Sequence, residues 1–256
     1  MTQPLLEIRG LSKSFGPVQV LRDVNFSVHA GQVTALVGDN GAGKSTLVKC
    51  IGGIYSMDAG DYLFEGRNVS VHTPRDAAAL GVEIVYQDLA LCDNLDIVQN
   101  MFLGREIRRG LVLDDITMEQ RAAETLASLA VRTVHSVRQP VSRLSGGQRQ
   151  TVAIAKAVLW NNRIVILDEP NAALGVAQTA QVLELVRRLA DNGLAVVLIS
   201  HNMNDVFAVA DRIAALYLGQ MAAEVRAVDV THSQVVELIT GGRSGDLGLR
   251  PNGAPV

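Results

Sequence analysis

Apolar and polar residues alternate along two segments near the start of the chain, Leu5–Gly10 and Val18–Val28. This alternation predicts half-buried antiparallel strands. Other segments are continuously apolar, which is typical of parallel strands buried on both faces. The clearest are Val33–Val37, Ile164–Leu167, Ala195–Ile199 and Ile213–Leu218, and Tyr62–Glu65 and Val82–Tyr86 are shorter strand-like runs.

Helical patterns lie between these strands. Thr73 is suited to cap a short helix, with Pro74 in its first position. Strands that alternate with helices predict a mostly parallel sheet in an α/β fold. The remaining helices are expected at Ser45–Gly52, Val176–Ala190, Asn204–Ala210 and Val235–Thr240.

The middle of the chain has a different character. From Asp96 to Ala130 the pattern is helical, and Thr117–Gln120 has the residues of a capping box ahead of Arg121–Ala130. We interpret residues 88–158 as a helical subdomain inserted in a single domain of residues 1–242. The tail, 243–256, is rich in Gly, Pro and Asn and is expected to be flexible.

The formal net charge is −3, with no basic excess, which argues against a nucleic-acid partner. Apolar stretches such as Leu194–Ile199 are too short to span a bilayer. The first residues lack a charged region followed by an apolar one, so we expect no signal peptide. If the protein acts at a membrane, another chain must supply the membrane-spanning part.

A glycine-rich loop follows the strand Val33–Val37 and reads Gly38-Asp39-Asn40-Gly41-Ala42-Gly43-Lys44-Ser45. Strand, glycine loop and helix are the context of a phosphate-binding P-loop, in which backbone N–H groups surround an anion. Gly41 and Gly43 let the backbone approach the phosphates closely. Lys44 is expected on the β- and γ-phosphates, and the Ser45 hydroxyl on Mg²⁺.

Polar side chains stand at the ends of three further strands. Asp168 and Glu169 end the strand that begins at Arg163, and parallel strands deliver such ends to the ligand crevice. We expect Asp168 to hold Mg²⁺ through water and Glu169 to orient and deprotonate an attacking water. Gln87 and His201 also follow strands and would face the γ-phosphate, although a lone histidine there is more often structural.

A second motif, Leu144-Ser145-Gly146-Gly147-Gln148, follows the P-loop at a distance. The two motifs in this order resemble the nucleotide-binding domain of ABC transporters over nearly the whole chain. The resemblance implies a P-loop NTPase core of the RecA-like type, with an antiparallel β subdomain and an inserted α-helical subdomain. It also implies ATP and Mg²⁺ as cofactors.

The resemblance assigns roles to individual residues. Phe15 becomes the aromatic that stacks on adenine, with a core position as the alternative. Gly38–Thr46 is the Walker A loop. Gln87 is the Q-loop glutamine and, with Ser45 and Asp168, a magnesium ligand. Asp168 ends the Walker B strand, Glu169 is the catalytic glutamate and His201 is the switch histidine.

The same resemblance implies a head-to-tail pair of subunits. Each ATP would lie between one Walker A loop and the signature of the partner, Ser145–Gln148, with Ser145, Gly146 and Gly147 at the γ-phosphate. Because the chain has one P-loop and one signature, it would pair with a second copy of itself.

A narrower resemblance is to the ATPases of bacterial monosaccharide importers of the ribose, xylose and fructose type. It implies a peripheral subunit at the cytoplasmic face of the membrane, which powers sugar import through a separate permease. A periplasmic or extracellular sugar-binding protein would serve the same system. The segments that carry it are Gly38–Lys44, Tyr86–Leu91, Asn100–Glu106 and Ala172-Ala173-Leu174-Gly175-Val176.

Two residues depart from the family pattern. Gly175 stands where most ABC domains have aspartate in the D-loop, and Asn171 stands where the sugar-importer subgroup usually has threonine. Three alternatives stay open at this point. They are an exporter ATPase, a soluble ABC protein acting on ribosomes or DNA, and a kinase or GTPase that shares only the P-loop.

Overall fold

The computed structural model describes residues 3–249 except 130–133, 135, 161 and 173. The predicted end of a helix at Ala130, Ala173 of the D-loop segment and residues 250–256 of the predicted tail lie outside this part. Within it, no helix is both long enough and apolar enough to cross a membrane.

Two large sheets form the frame of the molecule. The strands are β1 (Leu6–Phe15), β2 (Val18–Val28), β3 (Val33–Gly38), β4 (Ala59–Phe64), β5 (Arg67–Asn68), β6 (Val82–Val85), β7 (Arg108–Arg109), β8 (Val112–Leu113), β9 (Ile164–Asp168), β10 (Ala195–Ile199), β11 (Arg212–Tyr217), β12 (Gln220–Arg226), β13 (Arg243–Ser244) and β14 (Leu247–Gly248). The helices are α1 (Lys44–Ile51), α2 (Pro74–Ala79), α3 (Ile97–Phe102), α4 (Asp115–Ser128), α5 (Gly146–Val158), α6 (Val176–Asp191), α7 (Met203–Val209) and α8 (His232–Gly241), with short 3₁₀ turns at Val141–Arg143 and Ala227–Asp229.

The central sheet has six strands in the order β12-β11-β3-β10-β9-β6. All neighbours pair in parallel except β12, which runs antiparallel to β11. A four-stranded antiparallel sheet, β2-β1-β4-β5, forms a separate layer. The α/β class with an antiparallel β subdomain is therefore confirmed.

The continuous apolar strands are explained by burial on both faces of the central sheet. In β10, Val196 and Leu198 pack in one hydrophobic cluster with the helices α3–α6, whereas Ala195, Val197 and Ile199 pack in a second cluster with the antiparallel sheet and α1. All five are essentially inaccessible to solvent. A strand with a core on either side has no polar face, and so shows no alternation.

The inserted region contains more than helices. A hairpin of β7 and β8 separates α3 from α4, and Gly110 occupies its turn at φ 67°. The capping box predicted at Thr117 is wrong, because α4 begins earlier, at Asp115. The Asp114 carboxylate is its N-cap and accepts the Thr117 N–H at 3.2 Å. Asp114, three positions before the threonine, thus provides the earlier cap.

Further elements, including the two-residue strand β5, were not predicted from the pattern. Strand β12 adds an edge to the central sheet. Residues 243–249, expected to belong to the flexible tail, contain a two-stranded hairpin, β13–β14, and end in the buried side chain of Leu249. The described part of this segment, residues 243–249, is therefore structured.

Candidate functional site

The register of the parallel sheet places three strand ends side by side. Asp168, the last residue of β9, pairs with Ile199 of β10. On the other side of β9, Val85 of β6 pairs with Leu167. Glu169, His201 and Gln87 follow these ends by one or two residues, so the sheet itself brings the three polar side chains to one edge.

The P-loop leaves β3 at the same edge and turns into α1. Gly43 caps this helix with φ 106°, a left-handed conformation, and a Cβ built on it would lie 2.7 Å from Cδ2 of Leu21. Both the backbone and the packing against β2 therefore require glycine here. The loop delivers the N-terminus of α1, where unpaired N–H groups favour an anion.

Lys44 is held across the mouth of the P-loop. Its Nζ donates hydrogen bonds to the carbonyl oxygens of Gly38 at 2.7 Å and Asp39 at 3.0 Å. Burial lowers the pKa of Lys44, and the nearby carboxylates of Glu169, Asp39 and Asp168 oppose this effect. The ammonium group is thus fixed over the loop before any ligand is bound.

Glu169 lies between the P-loop and His201. Its Oε1 is 3.4 Å from Nδ1 of His201, and its backbone N–H donates to the carbonyl of Ile199 at 3.0 Å. Glu169 has φ 49°, a left-handed conformation that is uncommon outside glycine. Such strain is often stored at functional sites, and here the hydrogen bond to β10 holds it in place.

Asp168 is half-buried beneath the same edge. Burial raises its pKa, the neighbouring charge of Glu169 raises it further, and Lys44 and Lys49 act in the opposite direction. The two adjacent carboxylates repel each other, and a cation between them and a bound polyphosphate would relieve that repulsion.

Three cavities meet at Glu169, which lines each of them. The first, about 270 Å³, is lined by the P-loop and the Walker B residues. The second, about 440 Å³, lies beside His201 and extends to Val236 and Ile239 of α8. The third, about 680 Å³, contains Gln87. The predicted residues that line at least one cavity are Gly38, Asp39, Asn40, Gly41, Gly43, Lys44, Ser45, Thr46, Gln87, Asp168, Glu169 and His201, and Ala42 is buried within the P-loop.

The signature residues lie elsewhere. Ser145 caps α5: its hydroxyl accepts the Gln148 N–H at 3.4 Å, and the Gln148 side chain accepts the Ser145 N–H at 2.9 Å. Side chains on Gly146 and Gly147 would approach Leu174 and Gln178 at 3.3 and 3.2 Å, so this helix start packs closely against α6. None of the four signature residues, Ser145–Gln148, is among the described residues that line the three cavities.

Phe15 lies at the end of β1 with 42% of its surface exposed. The structure therefore disfavours the alternative of a core residue. Its ring packs edge-to-face against Tyr55, a residue to which the sequence pattern assigned no role. The two residues are 40 positions apart. The only sequence signal for the contact is that an aromatic residue stands in the loop after α1.

Asn171 is a second residue whose contact was not foreseen. Its Nδ2 donates to Oδ2 of Asp205 at 3.1 Å, which ties the segment after Glu169 to α7. Asp205 is buried. This hydrogen bond links the chain after Walker B to the helix that follows His201.

The oxygen atoms of Asp168 and Ser45 suit Mg²⁺ better than they suit a metal ion whose ligands all come from the protein. In the part of the chain that the structure describes, no cluster of three or more His, Cys, Asp or Glu side chains is placed to hold a metal. Mg²⁺ typically uses one or two carboxylates and takes its other ligands from water and phosphate oxygens. Asp168 and the hydroxyl of Ser45, which line one cavity with the P-loop, fit that pattern.

Comparison with known proteins identifies the family. The sequence model described as "ABC transporter" matches residues 21–172, more than half of the chain. The chain belongs to the ABC transporter family. This ABC protein is an ATPase, and the kinase and GTPase alternatives are thereby excluded.

The ABC protein resembles curated relatives over most of its length. It is 44% identical to the fructose import ATP-binding protein FrcA of Rhizobium meliloti, across 94% of this chain and 95% of FrcA. It is 42% identical to the xylose/arabinose import ATP-binding protein XylG of Sulfolobus acidocaldarius, across 96% and 97%. The ribose import ATP-binding protein RbsA of Chromobacterium violaceum is 39% identical, and the match covers 97% of this chain but 49% of RbsA.

Solved structures show the same fold. A nucleotide-free ATP-binding cassette from an ABC transporter superposes with a TM-score of 0.80 at 26% identity, covering 93% of this ABC protein and all of that chain. The ADP conformation of the cassette MJ1267 gives a TM-score of 0.80 at 24% identity, across 94% and 96% of the chains.

Proposed function

We propose that this ABC ATPase powers the import of a monosaccharide through a separate membrane permease. The observation that carries the proposal is the match to FrcA, at 44% identity over 94% of this chain and 95% of that relative. FrcA and XylG, both named for sugar import, match nearly end to end. The sugar itself is selected by other components of such a system.

The site supports a hydrolysis step at the γ-phosphate of ATP. In this proposal, Glu169 orients a water molecule and accepts its proton as the water oxygen attacks phosphorus and the bond to the β-phosphate oxygen breaks. A carboxylate within reach of the attacking water suits general-base catalysis. His201, 3.4 Å from Glu169, is then placed to contact the γ-phosphate and to keep the carboxylate oriented.

The remaining residues bind and position the phosphates. Lys44 would exchange its two carbonyl partners in the P-loop for β- and γ-phosphate oxygens. Ser45, Asp168 and Gln87 would hold Mg²⁺, directly or through water. When bound, Mg²⁺ neutralises charge that develops on the phosphate oxygens. Phe15, exposed at the end of β1, would stack on the adenine ring.

The ATP site is complete only in a dimer of this chain. The Ser145 end of α5 is a second helix N-terminus suited to an anion, yet it lines none of the described cavities around Lys44. We infer a head-to-tail homodimer in which each signature closes on the partner's Walker A loop. The sequence contains one P-loop and one signature, so a second copy of the chain would supply the signature for each ATP.

The proposed partners follow from the import function. They are a permease in the membrane and a periplasmic or extracellular sugar-binding protein, with this subunit on the cytoplasmic face. A net charge of −3 offers no general attraction to nucleic acid.

Reconstitution tests the import function. The chain would be copurified with the permease encoded nearest to its gene and placed in proteoliposomes with the cognate binding protein. We expect ATP hydrolysis to rise when one of fructose, xylose, arabinose or ribose is supplied with the binding protein, and the sugar to accumulate inside. Hydrolysis that responds only to a substrate on the ATP side, without a binding protein, would indicate an exporter instead.

A further inference from the structure

The end of strand β1 is fastened to the loop that follows α1. Lys13 Nζ lies 2.7 Å from Asp58 Oδ1, and the Ser14 N–H donates to Asp58 Oδ2 at 2.6 Å. The Asp58 N–H in turn donates to the carbonyl of Ser12 at 2.9 Å. The hydrogen bond from Lys13 lowers the pKa of Asp58, which keeps this carboxylate ionised at neutral pH. Residues 12–14 are thus held by one carboxylate and its backbone.

Phe15 comes next along the strand and is held from two directions. Its ring centroid lies 5.1 Å from that of Tyr55, with the planes at 74°, an edge-to-face arrangement that aromatic rings favour. The Lys13 ammonium lies over the Phe15 ring, 5.6 Å from the centroid. The residue nevertheless keeps 42% of its surface exposed. The side chain is thus oriented by two contacts, while part of the residue stays accessible to a further contact.

Tyr55 is itself positioned by the helix that begins at the P-loop. Its backbone N–H donates to the carbonyl of Lys49 at 3.1 Å, and the Lys49 ammonium lies 5.5 Å from its ring centroid. Lys49 is in the last turn of α1, whose first residue is Lys44. One short helix therefore connects the phosphate loop at its start with the aromatic pair at its end.

We propose that Tyr55 is a positioning residue which, with Asp58, holds Phe15 in the orientation that stacks on the nucleotide base. This inference rests on the proposed role of Phe15 in binding adenine. An exposed aromatic side chain loses rotamer freedom when a ligand stacks on it, and a ring that is already held avoids that cost. We call Tyr55 and Asp58 the bracket, and Phe15 the base platform. The bracket also sets the spacing between the base platform and the phosphate loop.

Tyr55 and Asp58 should affect the affinity for ATP and not the rate of the hydrolysis step. The base is remote from the γ-phosphate, so contacts to it are made equally in the ground state and in the transition state. Loss of such uniform binding raises KM and leaves kcat unchanged. It should also leave untouched the binding of a ligand that has phosphates but no base.

The experiment compares Tyr55→Ala with Tyr55→Phe in the full chain, titrated with ATP and with inorganic tripolyphosphate in the presence of Mg²⁺. We expect Tyr55→Ala to raise the Kd for ATP roughly two- to tenfold, the range for losing an aromatic pair. Tyr55→Phe keeps the ring and should bind ATP as the wild type does. The Kd for tripolyphosphate should stay the same in both variants.

A double-mutant cycle separates positioning from direct contact. In a Phe15→Ala background, Tyr55→Ala should cost little further ATP affinity, because the ring that it holds is gone. Independent, multiplicative losses would mean that Tyr55 touches the base itself and would overturn the inference. An equal rise in the Kd for tripolyphosphate would overturn it too, since the damage would then lie in the P-loop.

The cycle also distinguishes failure of the inference from failure of the proposed function. If Phe15→Ala weakens ATP binding and Tyr55→Ala does not, the bracket is wrong but the base platform stands. If Phe15→Ala leaves ATP binding unchanged, both the platform and the bracket fail. Wild-type ATP hydrolysis, measured alongside, shows whether the ATPase function stands in either case.

Discussion

Glu169 Oε1 and His201 Nδ1 are 3.4 Å apart, although 32 positions separate the residues in the chain. Their closeness follows from the pairing of Asp168 with Ile199 in neighbouring parallel strands. Each residue therefore lies one or two positions after a strand whose own side chains are almost all buried. A site placed on strand ends is held more precisely than one placed on loops alone.

Glu169→Gln should retain ATP binding and lose most hydrolysis, about 10²–10⁴-fold, because the amide cannot accept the proton of the attacking water. It should also favour a stable ATP-bound dimer, since hydrolysis would no longer separate the subunits. Phosphate release and size-exclusion chromatography with ATP would measure both effects. Glu124→Gln, on an exposed part of α4, is the matched control. Near-normal turnover of Glu169→Gln would remove this residue from the proposed role.

Lys44→Ala should weaken ATP binding roughly 10- to 100-fold, which is the range for losing a hydrogen bond to a charged group. The variant also loses the two hydrogen bonds to the carbonyls of Gly38 and Asp39. Isothermal titration with ATP would measure the change, with Lys156→Ala in α5 as a control for the loss of a lysine. Unchanged affinity together with unchanged turnover would contradict the assignment of the P-loop.

Asp168→Asn should abolish turnover yet stabilise the nucleotide-free protein. Because the pKa of Asp168 is raised above the unfolded value of about 3.9, the folded state binds more protons between the two values. Wild-type stability from this group therefore falls as pH rises through that interval. Urea unfolding should show the variant's advantage growing upward from about pH 4 and levelling off above the folded pKa. An advantage that grows toward acid would contradict this sign.

Gly175 and Gly43 should respond in opposite ways to a side chain. Gly175 caps α6 with φ −74°, and a Cβ there meets no atom within 4 Å. Gly175→Asp should therefore be tolerated in the monomer and add a few tenths of a kcal/mol as a better cap. Gly43→Ala should cost about 1–3 kcal/mol, from its left-handed backbone and the clash with Leu21. Chemical denaturation would measure both, and a destabilised Gly175→Asp monomer would show that the D-loop glycine has a structural role.

Ser145→Arg should leave ATP binding by the monomer intact, while dimerisation and hydrolysis fall together. The reason is geometric, since Ser145 lines none of the three cavities that meet at Glu169, including the one that Lys44 lines. A long cationic side chain there would obstruct the partner's nucleotide. Loss of ATP binding in the monomer would mean an internal site and would contradict the head-to-tail dimer.

A mixing experiment makes the same prediction more specific. Ser145→Arg subunits combined with Lys44→Ala subunits should form one intact composite site, from the first subunit's Walker A loop and the second subunit's signature. We expect ATP-dependent heterodimers, detected by differently tagged chains, where neither variant dimerises alone. Turnover of the mixture is a weaker readout, because one intact site would support only partial turnover, or none if the two sites must act together.

The sequence could predict which residues gather at the carboxyl ends of the parallel strands, because the signals for them are local. The strand before Gly38, the helix after Lys44 and the carboxylates at the end of β9 each lie within a few residues of the motif they define. The end of β10 likewise marked His201 as a candidate. Short-range periodicity and glycine placement are sufficient to locate such features.

The features that were missed depend on weak or long-range signals. The β7–β8 hairpin has two-residue strands, too short to show alternation, and Gly110 alone marks its turn. At α4, Asp114 and Thr117 both have capping side chains, and only the backbone decides between them. The contact of Phe15 with Tyr55 joins distant positions, which a single sequence does not reveal.

The capping role of Ser145 restricts which residues can serve at that position. A hydroxyl has two acceptor lone pairs and one proton, so the lone pair that receives the Gln148 N–H leaves the proton available to a phosphate oxygen. Aspartate would cap the helix equally well but would repel the phosphate, and alanine would supply neither contact. Threonine, which has the same hydroxyl group, retains both contacts. In the proposed head-to-tail dimer, the same side chain therefore serves both the stability of α5 and the partner's nucleotide, and a protein engineer could not optimise one without constraining the other.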